Sequence, residues 1–516
     1  MVGKSFVSGA IVLMAAGFIV RILGFVYRIY LSNLIGAEGM GLFQLIMPLY
    51  TLIILTLTAG VSIAVSKMVA EEQAQRRFIN PSRITANAAL LVICCGVSVS
   101  LLLYLNAGFI SNVLLKDSRT YYSLILLAPC IPLIAASSAL KGYFYGMQQV
   151  MPTAVSQVVE QAVKIGVIMA LAGYFAAGGL ELACTVAVAG TVLGELANLA
   201  VLALVYNYRR RRERNKISVN GFTRRLRILK QLVRTAVPVS ANRFVISIMS
   251  AVEYLLIPGM LVAGGMNYTV SMETYGRLSG MALPLIFFPS LVTASLATTL
   301  VPAISEAVCL KNLKTVNYRI SKSIQVTFIL GMVFTAIFMT YPNEIGNLIY
   351  KKEKIGDLLY MLSFSCVFIY LQQTLMGVLN GLGRQGALLR NTVIGSVIRI
   401  GFVCFMIPVY GIQSYIWGLI VSFMTTATLN LLTINRLTGL VIDIRNWLLK
   451  PGLVCMIMVF TGKYILSFFD MIVENGSMKL LLTLTVNVTG TLLLMVMAGV
   501  LDRNEILKLA GLKKNR

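Results

Sequence analysis

Two arginines and two glycines form a stripe on the first apolar segment of the chain. They are Gly17, Arg21, Gly24 and Arg28. Their spacing of i, i+4, i+7 and i+11 puts them on one face of a helix. The apolar run before Arg21 covers only 6–20, too short for a bilayer core of about 30 Å, so the span must continue through Arg21. Since a buried arginine usually faces a bundle interior or a wet cavity, the stripe predicts such a cavity. The alternative, which suits Arg28 better, is an arginine that reaches the lipid headgroups.

Further charged side chains lie inside predicted spans, and most of them are basic. The basic candidates for a substrate site are Arg21, Arg28, Lys164, Arg243, Arg277 and Arg399. The acidic candidates for ion coupling are Glu160, Glu195 and Glu253. Because a guanidinium group binds phosphate oxygens bidentately and stays charged at physiological pH, we expect a phosphate-bearing substrate. Two positions have simpler interpretations: Lys164 can neutralise Glu160 one turn away, and Arg277 lies near the outer end of its span.

The residue inventory argues against enzymatic chemistry. Histidine is absent, which excludes His-based triads, imidazole metal ligands and histidine proton relays. The eight cysteines show no CxxC spacing and mostly fall in apolar segments, so we expect no metal and no cofactor. No Walker or glycine-rich nucleotide motif is present. We therefore expect a transporter that draws on an ion gradient, the membrane potential or the gradient of its substrate.

The composition is typical of a polytopic helical membrane protein. Apolar residues make up 58% of the 516 residues and charged residues 12%, with a mean hydropathy of +0.84. We expect an all-α membrane protein with about 14 transmembrane helices and a retained N-terminal signal anchor after Lys4. The predicted spans lie at about 6–28, 42–66, 86–107, 121–145, 152–175, 182–206, 235–264, 275–305, 323–341, 358–380, 387–409, 412–435, 447–469 and 479–501.

Basic residues are concentrated in alternate loops. Most of the 44 Lys and Arg residues would be cytoplasmic if the N-terminus is, which predicts a multi-pass protein of the cell membrane with both termini in the cytoplasm. The segment 209–234 has eleven basic residues and one acid, Glu213. Nucleic-acid binding is the alternative interpretation, but we favour a topology determinant that attracts anionic lipid. Its apolar residues at helical spacing predict an interfacial helix. They are Phe222, Leu226, Leu229 and Val233.

The halves of the chain on either side of this segment repeat each other. Leu140–Gly146 (LKGYFYG) aligns with Leu375–Gly381 (LMGVLNG) at an offset of 235, which also aligns Lys164 with Arg399. With six spans on each side, this predicts two pseudo-symmetric six-helix lobes. The predicted parts are an N-terminal lobe over 1–208, a basic cytoplasmic linker with the interfacial helix over 209–234, a C-terminal lobe over 235–436, and two extra helices with a basic tail over 437–516.

The opening of the chain resembles the multidrug/oligosaccharidyl-lipid/polysaccharide exporter superfamily. The resemblance is carried by Arg21-Ile-Leu-Gly24-Phe25, by Leu34-Ile-Gly36-Ala-Glu38-Gly39-Met-Gly41 and by Val61-Ser-Ile-Ala-Val-Ser66-Lys67-Met-Val-Ala-Glu71. Within the superfamily, the chain looks most like the stage V sporulation protein B family of endospore-forming bacteria. The resemblance covers essentially the whole chain and is most specific over residues 1–80.

The resemblance implies a flippase for polyprenyl-diphosphate-linked saccharides. Its two lobes would open alternately, and its last two helices could hold a lipid tail. The related lipid II flippases use arginines matched here by Arg21 and, in Tyr275-Gly276-Arg277, by Arg277. Their first motif continues to an arginine–aspartate pair, whereas this chain has Tyr27-Arg28, so the role of Arg28 and the coupling ion stay open.

The leading hypothesis is a flippase for a lipid II-like precursor of the spore cortex. The expected partners are a lipid-linked anionic saccharide, anionic lipid at the basic loop and, as further candidates, cell-wall polymerases. The rivals are a cation-coupled multidrug antiporter of the same superfamily, a flippase for another polysaccharide, and a membrane polymerase or ligase. The sequence leaves open the glycan, the coupling ion, the oligomeric state and whether the role is specific to sporulation.

Overall fold

The structure, a computed structural model, describes residues 2–74, 81–177, 179–212, 222–351, 353–441 and 443–500. Within them, it describes the side chains except those of 2–14, 74, 172–177, 210–212 and 222–227. All regular secondary structure in these segments is helical. This fits an apolar chain in lipid, because a helix satisfies its backbone hydrogen bonds internally.

The chain folds as two compact units that divide after Gly276. The described α-helices of the first unit are α1 (Val2–Ala74), α2 (Pro81–Leu105), α3 (Ala107–Phe109), α4 (Tyr121–Leu127), α5 (Cys130–Gly146), α6 (Met151–Ala177), α7 (Gly179–Arg212), α8 (Phe222–Ala263) and α9 (Tyr268–Tyr275). Those of the second are α10 (Leu283–Phe287), α11 (Ser290–Cys309), α12 (Leu313–Thr340), α13 (Pro342–Ile349), α14 (Gly356–Ser363), α15 (Cys366–Gly381), α16 (Gln385–Gly401), α17 (Ile407–Tyr410), α18 (Ile412–Thr438), α19 (Lys450–Asp470) and α20 (Gly476–Met497).

The number of spans agrees with an all-α membrane protein. The described chain has 11 helices long and apolar enough to cross a membrane, or up to 13 when the bent pairs α4–α5 and α14–α15 are each taken as one span. The first of them, α1, is interrupted at Gly36, where φ is 70° and the backbone is not helical. Dividing α1 there would add one more, which gives the 14 predicted spans. Glycine suits this break because it adopts a positive φ without steric penalty.

The same close helix crossing occurs in both units at the repeated glycines. In the first unit, a Cβ added to Gly142 of α5 would lie 2.8 Å from the Ser62 carbonyl oxygen of α1. In the second, a Cβ added to Gly377 of α15 would lie 2.6 Å from the Ala297 carbonyl oxygen of α11. Small residues let helix backbones approach this closely in membranes. The 235-residue repeat therefore corresponds to equivalent helix packing inside each unit.

Helix α8 packs onto the body of the first unit through its N-terminal half. Ile228, Leu232 and Ala236 are buried in one apolar cluster with residues of α1, α2, α5 and α7. In the predicted interfacial helix, Leu229 is half-buried and Val233 is exposed. The side chains of Phe222 and Leu226 lie outside the described part of the structure. The helix is thus continuous with the seventh predicted span and also has a protein-facing side. Its contact with lipid stays a prediction.

The predicted eighth span, 275–305, is broken. A π-helical turn covers Gly276–Ala282, α10 follows, and α11 begins at Ser290 after Pro289. Proline lacks an N–H and clashes with the preceding turn, which explains the interruption. The break between the compact units also falls here, not in the basic segment 209–234. The predicted lobes and linker, which were defined by topology, stay predictions.

Candidate functional site

The arginine stripe of α1 lies on an open face of the first unit. Arg21 is exposed and makes no hydrogen bond or ion pair with the described residues. A Cβ added to Gly17 would have no atom within 4 Å, and one added to Gly24 would meet only Gln161 Oε1, at 3.9 Å. This face therefore has room for a ligand next to a guanidinium group, and Gln161 places α6 at its edge.

Two of the other predicted cations of the first unit, Arg28 and Arg243, have different surroundings. Arg28 is half-buried and takes part in interactions, whereas Arg243 on α8 is exposed with no hydrogen bond or ion pair to described residues. The neighbouring Tyr27 donates a hydrogen bond to the Ala187 carbonyl oxygen at 3.5 Å, which places α7 beside this part of α1. The stripe thus runs alongside both α6 and α7.

A buried polar cluster lies between α6 and α7, and we call it the acidic seam. It consists of Glu160, Lys164, Glu195 and Asn198. Lys164 Nζ donates to Glu160 Oε1 at 2.6 Å, so the simpler interpretation of Lys164 as the partner of Glu160 describes its geometry. Asn198 Nδ2 donates to Glu160 Oε2 at 3.1 Å and to Glu195 Oε2 at 3.2 Å. One amide therefore bridges two carboxylates.

The two carboxylates of the acidic seam lie close together in a buried environment. Glu160 and Glu195 are each 9% exposed and Asn198 is fully buried, while Lys164 pairs with Glu160 and the positive charge of Lys141 on α5 also acts on Glu195. Tyr50 of α1 interacts with the Glu195 carboxylate, and Asn198 Oδ1 has no hydrogen-bond partner among the described residues. Two carboxylates that share one amide in a low-dielectric interior repel each other. A proton or a monovalent cation between them would relieve that repulsion.

Glu253, the third predicted acidic residue, lies outside the contacts of the acidic seam. It is 2% exposed on α8 and has interactions of its own. In the described residues, no group of three Cys, Asp or Glu side chains is placed to hold a metal ion.

Arg399 occupies a second polar seam, between α16 and α18 in the second unit, which we call the hydroxyl seam. Its guanidinium group donates to Ser422 Oγ at 2.7 Å and to Ser396 Oγ at 3.1 Å, and its Cζ lies 5.5 Å from the centre of the Phe423 ring. These contacts orient the guanidinium group. Guanidinium groups form charge-assisted hydrogen bonds with anions, so Arg399 stays a candidate for binding one.

The two seams occupy equivalent positions of the repeat but differ in charge. The offset of 235 pairs Lys164 with Arg399, Glu160 with Gly395, and Glu195 with Asn430. Asn430 is buried and accepts a hydrogen bond from Asn391 at 2.9 Å. Both carboxylates of the first seam are thus replaced by uncharged residues in the second. The same helical scaffold thus places two carboxylates in the first unit where the second unit has a glycine and an asparagine.

Arg277 is held by a carboxylate. Its Nε donates to Glu353 Oε2 at 2.8 Å, within the second unit, and its side chain is 34% exposed. This ion pair already engages part of the guanidinium group. A role in binding is compatible with this geometry only as one ligand among several.

Sequence reasoning missed several partners of the predicted residues. Asn198 could have been found, because it lies three residues after Glu195 on the same helix face. Ser422 and Glu353 reach Arg399 and Arg277 from distant parts of the chain, so local spacing gives no signal for them. Glu38 was noticed only as part of a glycine-rich motif, although the structure pairs it with Arg119 at 2.6 Å.

Comparison with known sequences adds a family and relatives. A family model described as polysaccharide biosynthesis protein matches residues 6–308. The stage V sporulation protein B of Bacillus subtilis (strain 168) is 29% identical over 452 residues, which cover 87% of each chain. The lipid II flippase MurJ of the same organism is 26% identical over 413 residues, covering 76% of this chain and 75% of the relative.

A solved structure has the same fold. The lipid II flippase MurJ, in an inward closed conformation, matches with a TM-score of 0.71 at 14% identity. The match covers 94% of this chain and 98% of the other. This match confirms the predicted fold of an all-α polytopic membrane protein.

Proposed function

The chain belongs to the family of polysaccharide biosynthesis proteins, and we propose that it is an alternating-access flippase for a polyprenyl-diphosphate-linked saccharide. The observation that carries the proposal is Arg21, an exposed guanidinium group on a face left open by Gly17 and Gly24. A diphosphate matches it because arginine forms paired charge-assisted hydrogen bonds with phosphate oxygens. Arg399, which Ser422 and Ser396 orient, would supply a second cation.

The remaining predicted cations would contribute to substrate binding in different ways. Arg277 and Arg28 would assist in binding the diphosphate, and Arg277 would do so from its ion pair with Glu353. Arg243 would attract the anion from its exposed position, and Lys164 would act through the acidic seam because Glu160 already binds it. The substrate would be bound mainly by arginine charge, while its polyprenyl chain stays against apolar helices.

The names of the relatives suggest a more specific substrate. One is a lipid II flippase and another a stage V sporulation protein, which supports a lipid II-like peptidoglycan precursor used for the spore cortex. The protein would lie in the cell membrane with both termini in the cytoplasm, as the distribution of basic residues favours. Anionic lipid at the segment 209–234 and cell-wall polymerases are the partners that fit this role.

The acidic seam would couple transport to a cation. Glu160 and Glu195 share the amide of Asn198, so binding of H⁺ or Na⁺ would relieve the repulsion between the two carboxylates. The seam also favours a second candidate, a cation-coupled multidrug antiporter. Efflux of ethidium that Glu195→Gln abolishes, together with no movement of lipid II, would favour the antiporter.

The proposal is tested by flipping of fluorescent lipid II in proteoliposomes. Arg21→Ala should slow flipping by roughly ten- to a hundredfold, because a hydrogen bond to a charged group contributes about 1.5–3 kcal/mol. Arg21→Lys should recover part of the rate, since lysine keeps the charge but not the bidentate fork.

The matched control is Lys463→Ala, which removes another exposed basic side chain from a span, on α19. This variant should flip at the wild-type rate. If Arg21→Ala is inserted correctly and also flips at the wild-type rate, the cationic site is wrong.

A further inference from the structure

A compact ionic network joins three distant segments of the first unit, and we call it the Arg119 network. It consists of Glu38, Asp117, Arg119 and Tyr268. Arg119 pairs with Glu38 Oε1 at 2.6 Å and with Asp117 Oδ2 at 2.8 Å. The Tyr268 hydroxyl donates to Asp117 Oδ2 at 2.9 Å. Glu38 is on α1, Asp117 and Arg119 precede α4, and Tyr268 begins α9.

The network fastens α9 to the rest of the first unit at the end of that unit's chain. The unit ends at Gly276, directly after α9, and the next residues form the π-helical turn Gly276–Ala282. Before α9, Gly265 has a φ of +92°. The short helix thus lies between a glycine bend and an irregular turn, both of which are natural places for a change of backbone direction.

The chemistry of the network suits a contact that opens and closes. The Asp117 side chain is 3% exposed, but Arg119 and Glu38 are 29% and 19% exposed, so water has access to the charged rim. Water can replace hydrogen bonds of charged groups, whereas separating packed apolar surfaces exposes them to solvent. Lys116, next to Asp117, has a φ of 57°, a strained conformation for a non-glycine residue.

Two close backbone approaches and a further hydrogen bond set the distance between α1 and the end of α9. A Cβ added to Gly276 would lie 1.9 Å from the Ala37 carbonyl oxygen, and one added to Gly41 would lie 2.3 Å from the Met272 carbonyl oxygen. The Tyr275 hydroxyl donates to the Gln44 carbonyl oxygen at 3.1 Å. These glycines therefore allow α9 to pack directly against the backbone of α1.

We propose that the Arg119 network is a latch that holds α9 closed on α1 and opens during the transport cycle. Glu38 and Asp117 clamp the Arg119 guanidinium group from two sides, and Tyr268 connects the clamp to α9. Releasing the Tyr268 hydroxyl frees the start of α9 from the network and leaves the Arg119 ion pairs in place. The transport cycle itself rests on the proposed function, but opening of α9 can be measured without a substrate.

The test is hydrogen–deuterium exchange of residues 268–275, measured by mass spectrometry on the full chain in lipid nanodiscs. In the wild type, these amides should exchange faster than those of the buried helix α5, because α9 opens locally. Tyr268→Phe keeps the ring and removes only the hydroxyl, and it should speed exchange over 268–275 about five- to thirtyfold. Glu38→Gln should have an effect in the same direction.

The matched control is Tyr206→Phe, which removes a buried hydroxyl that donates to the Ser82 carbonyl oxygen at 3.0 Å in the same unit. It should leave exchange over 268–275 unchanged, and all variants should melt near the wild-type temperature. Wild-type exchange as slow as in α5, or exchange that Tyr268→Phe does not alter, would overturn the latch. If exchange responds but lipid II is not flipped, the latch stands and the proposed function fails.

Discussion

Lys164 and Arg399 lie at equivalent positions of the two halves but meet different partners. Lys164 is paired with Glu160, whereas Arg399 contacts two serine hydroxyls and an aromatic ring. A lysine bound to a carboxylate has less charge available for an anion, and a guanidinium group can form several charge-assisted hydrogen bonds at once. The roles of the two residues are thus decided by their neighbours.

At the same scale, neutralising one carboxylate of the acidic seam is predicted to remove the dependence of flipping on the coupling gradient. Glu195→Gln should make flipping independent of the coupling gradient and slow gradient-driven flipping by about tenfold or more. The reason is that a single carboxylate no longer forms the pair that would hold the cation, and a hydrogen bond to a charged group contributes about 1.5–3 kcal/mol. The measurement is flipping in proteoliposomes with imposed H⁺ or Na⁺ gradients.

Glu71→Gln is the control for this experiment. Glu71 is in the same unit and forms an exposed pair with Lys67 at 3.8 Å, a kind of surface contact that contributes little. A Glu195→Gln protein that still responds to both gradients would refute coupling through the acidic seam. The gradient that loses its effect identifies the ion.

At the scale of helices, the repeated glycines set how closely the central pairs approach. Gly142 and Gly377 each face a carbonyl oxygen of the crossing helix at a distance that leaves no room for a methyl group. In contrast, Gly166 and Gly401, which the repeat also aligns, have no atom within 4 Å of an added Cβ. Helix packing therefore requires glycine at one pair of repeated positions, whereas the other pair has space for a larger side chain.

This contrast predicts opposite effects of the same substitution. Gly377→Ala should destabilise the protein by about 1–3 kcal/mol, because the methyl group overpacks against α11. Gly401→Ala should leave stability unchanged or raise it by up to about 1 kcal/mol, since alanine is the better helix former. Thermal melting of the purified protein in one detergent measures both. Equal melting temperatures for the two variants would contradict the assigned crossing.

At the scale of the whole molecule, contacts within the first unit agree with the predicted alternation of spans. The Arg119 network joins three connections that are all predicted to lie outside the cell. The bond from Tyr206 to Ser82 joins two span ends that are both predicted to be cytoplasmic. The alternation of the spans is therefore internally consistent, while the absolute orientation rests on the positive-inside rule.

The orientation predicts which loops a membrane-impermeant thiol reagent reaches. Asn106 and Asn312 are both exposed. Asn106 lies at the predicted outer end of the span 86–107, and Asn312 lies in a loop predicted to be cytoplasmic. In a variant without the eight natural cysteines, Asn106→Cys should react in intact cells and Asn312→Cys only after permeabilisation. The reverse labelling pattern would invert the topology, and labelling of both in intact cells would contradict it.

The sequence determined the helical membrane class, the positions of the spans, the internal repeat and the residues that carry charge into the membrane. These features follow from local periodicity, composition and family motifs, which a linear chain displays directly. Tertiary structure decided the partners of each charge: Asn198 bridging Glu160 and Glu195, Ser422 beside Arg399, and Glu353 on Arg277. Such pairings form between helices far apart in the chain, and the net charge of a buried site depends on them.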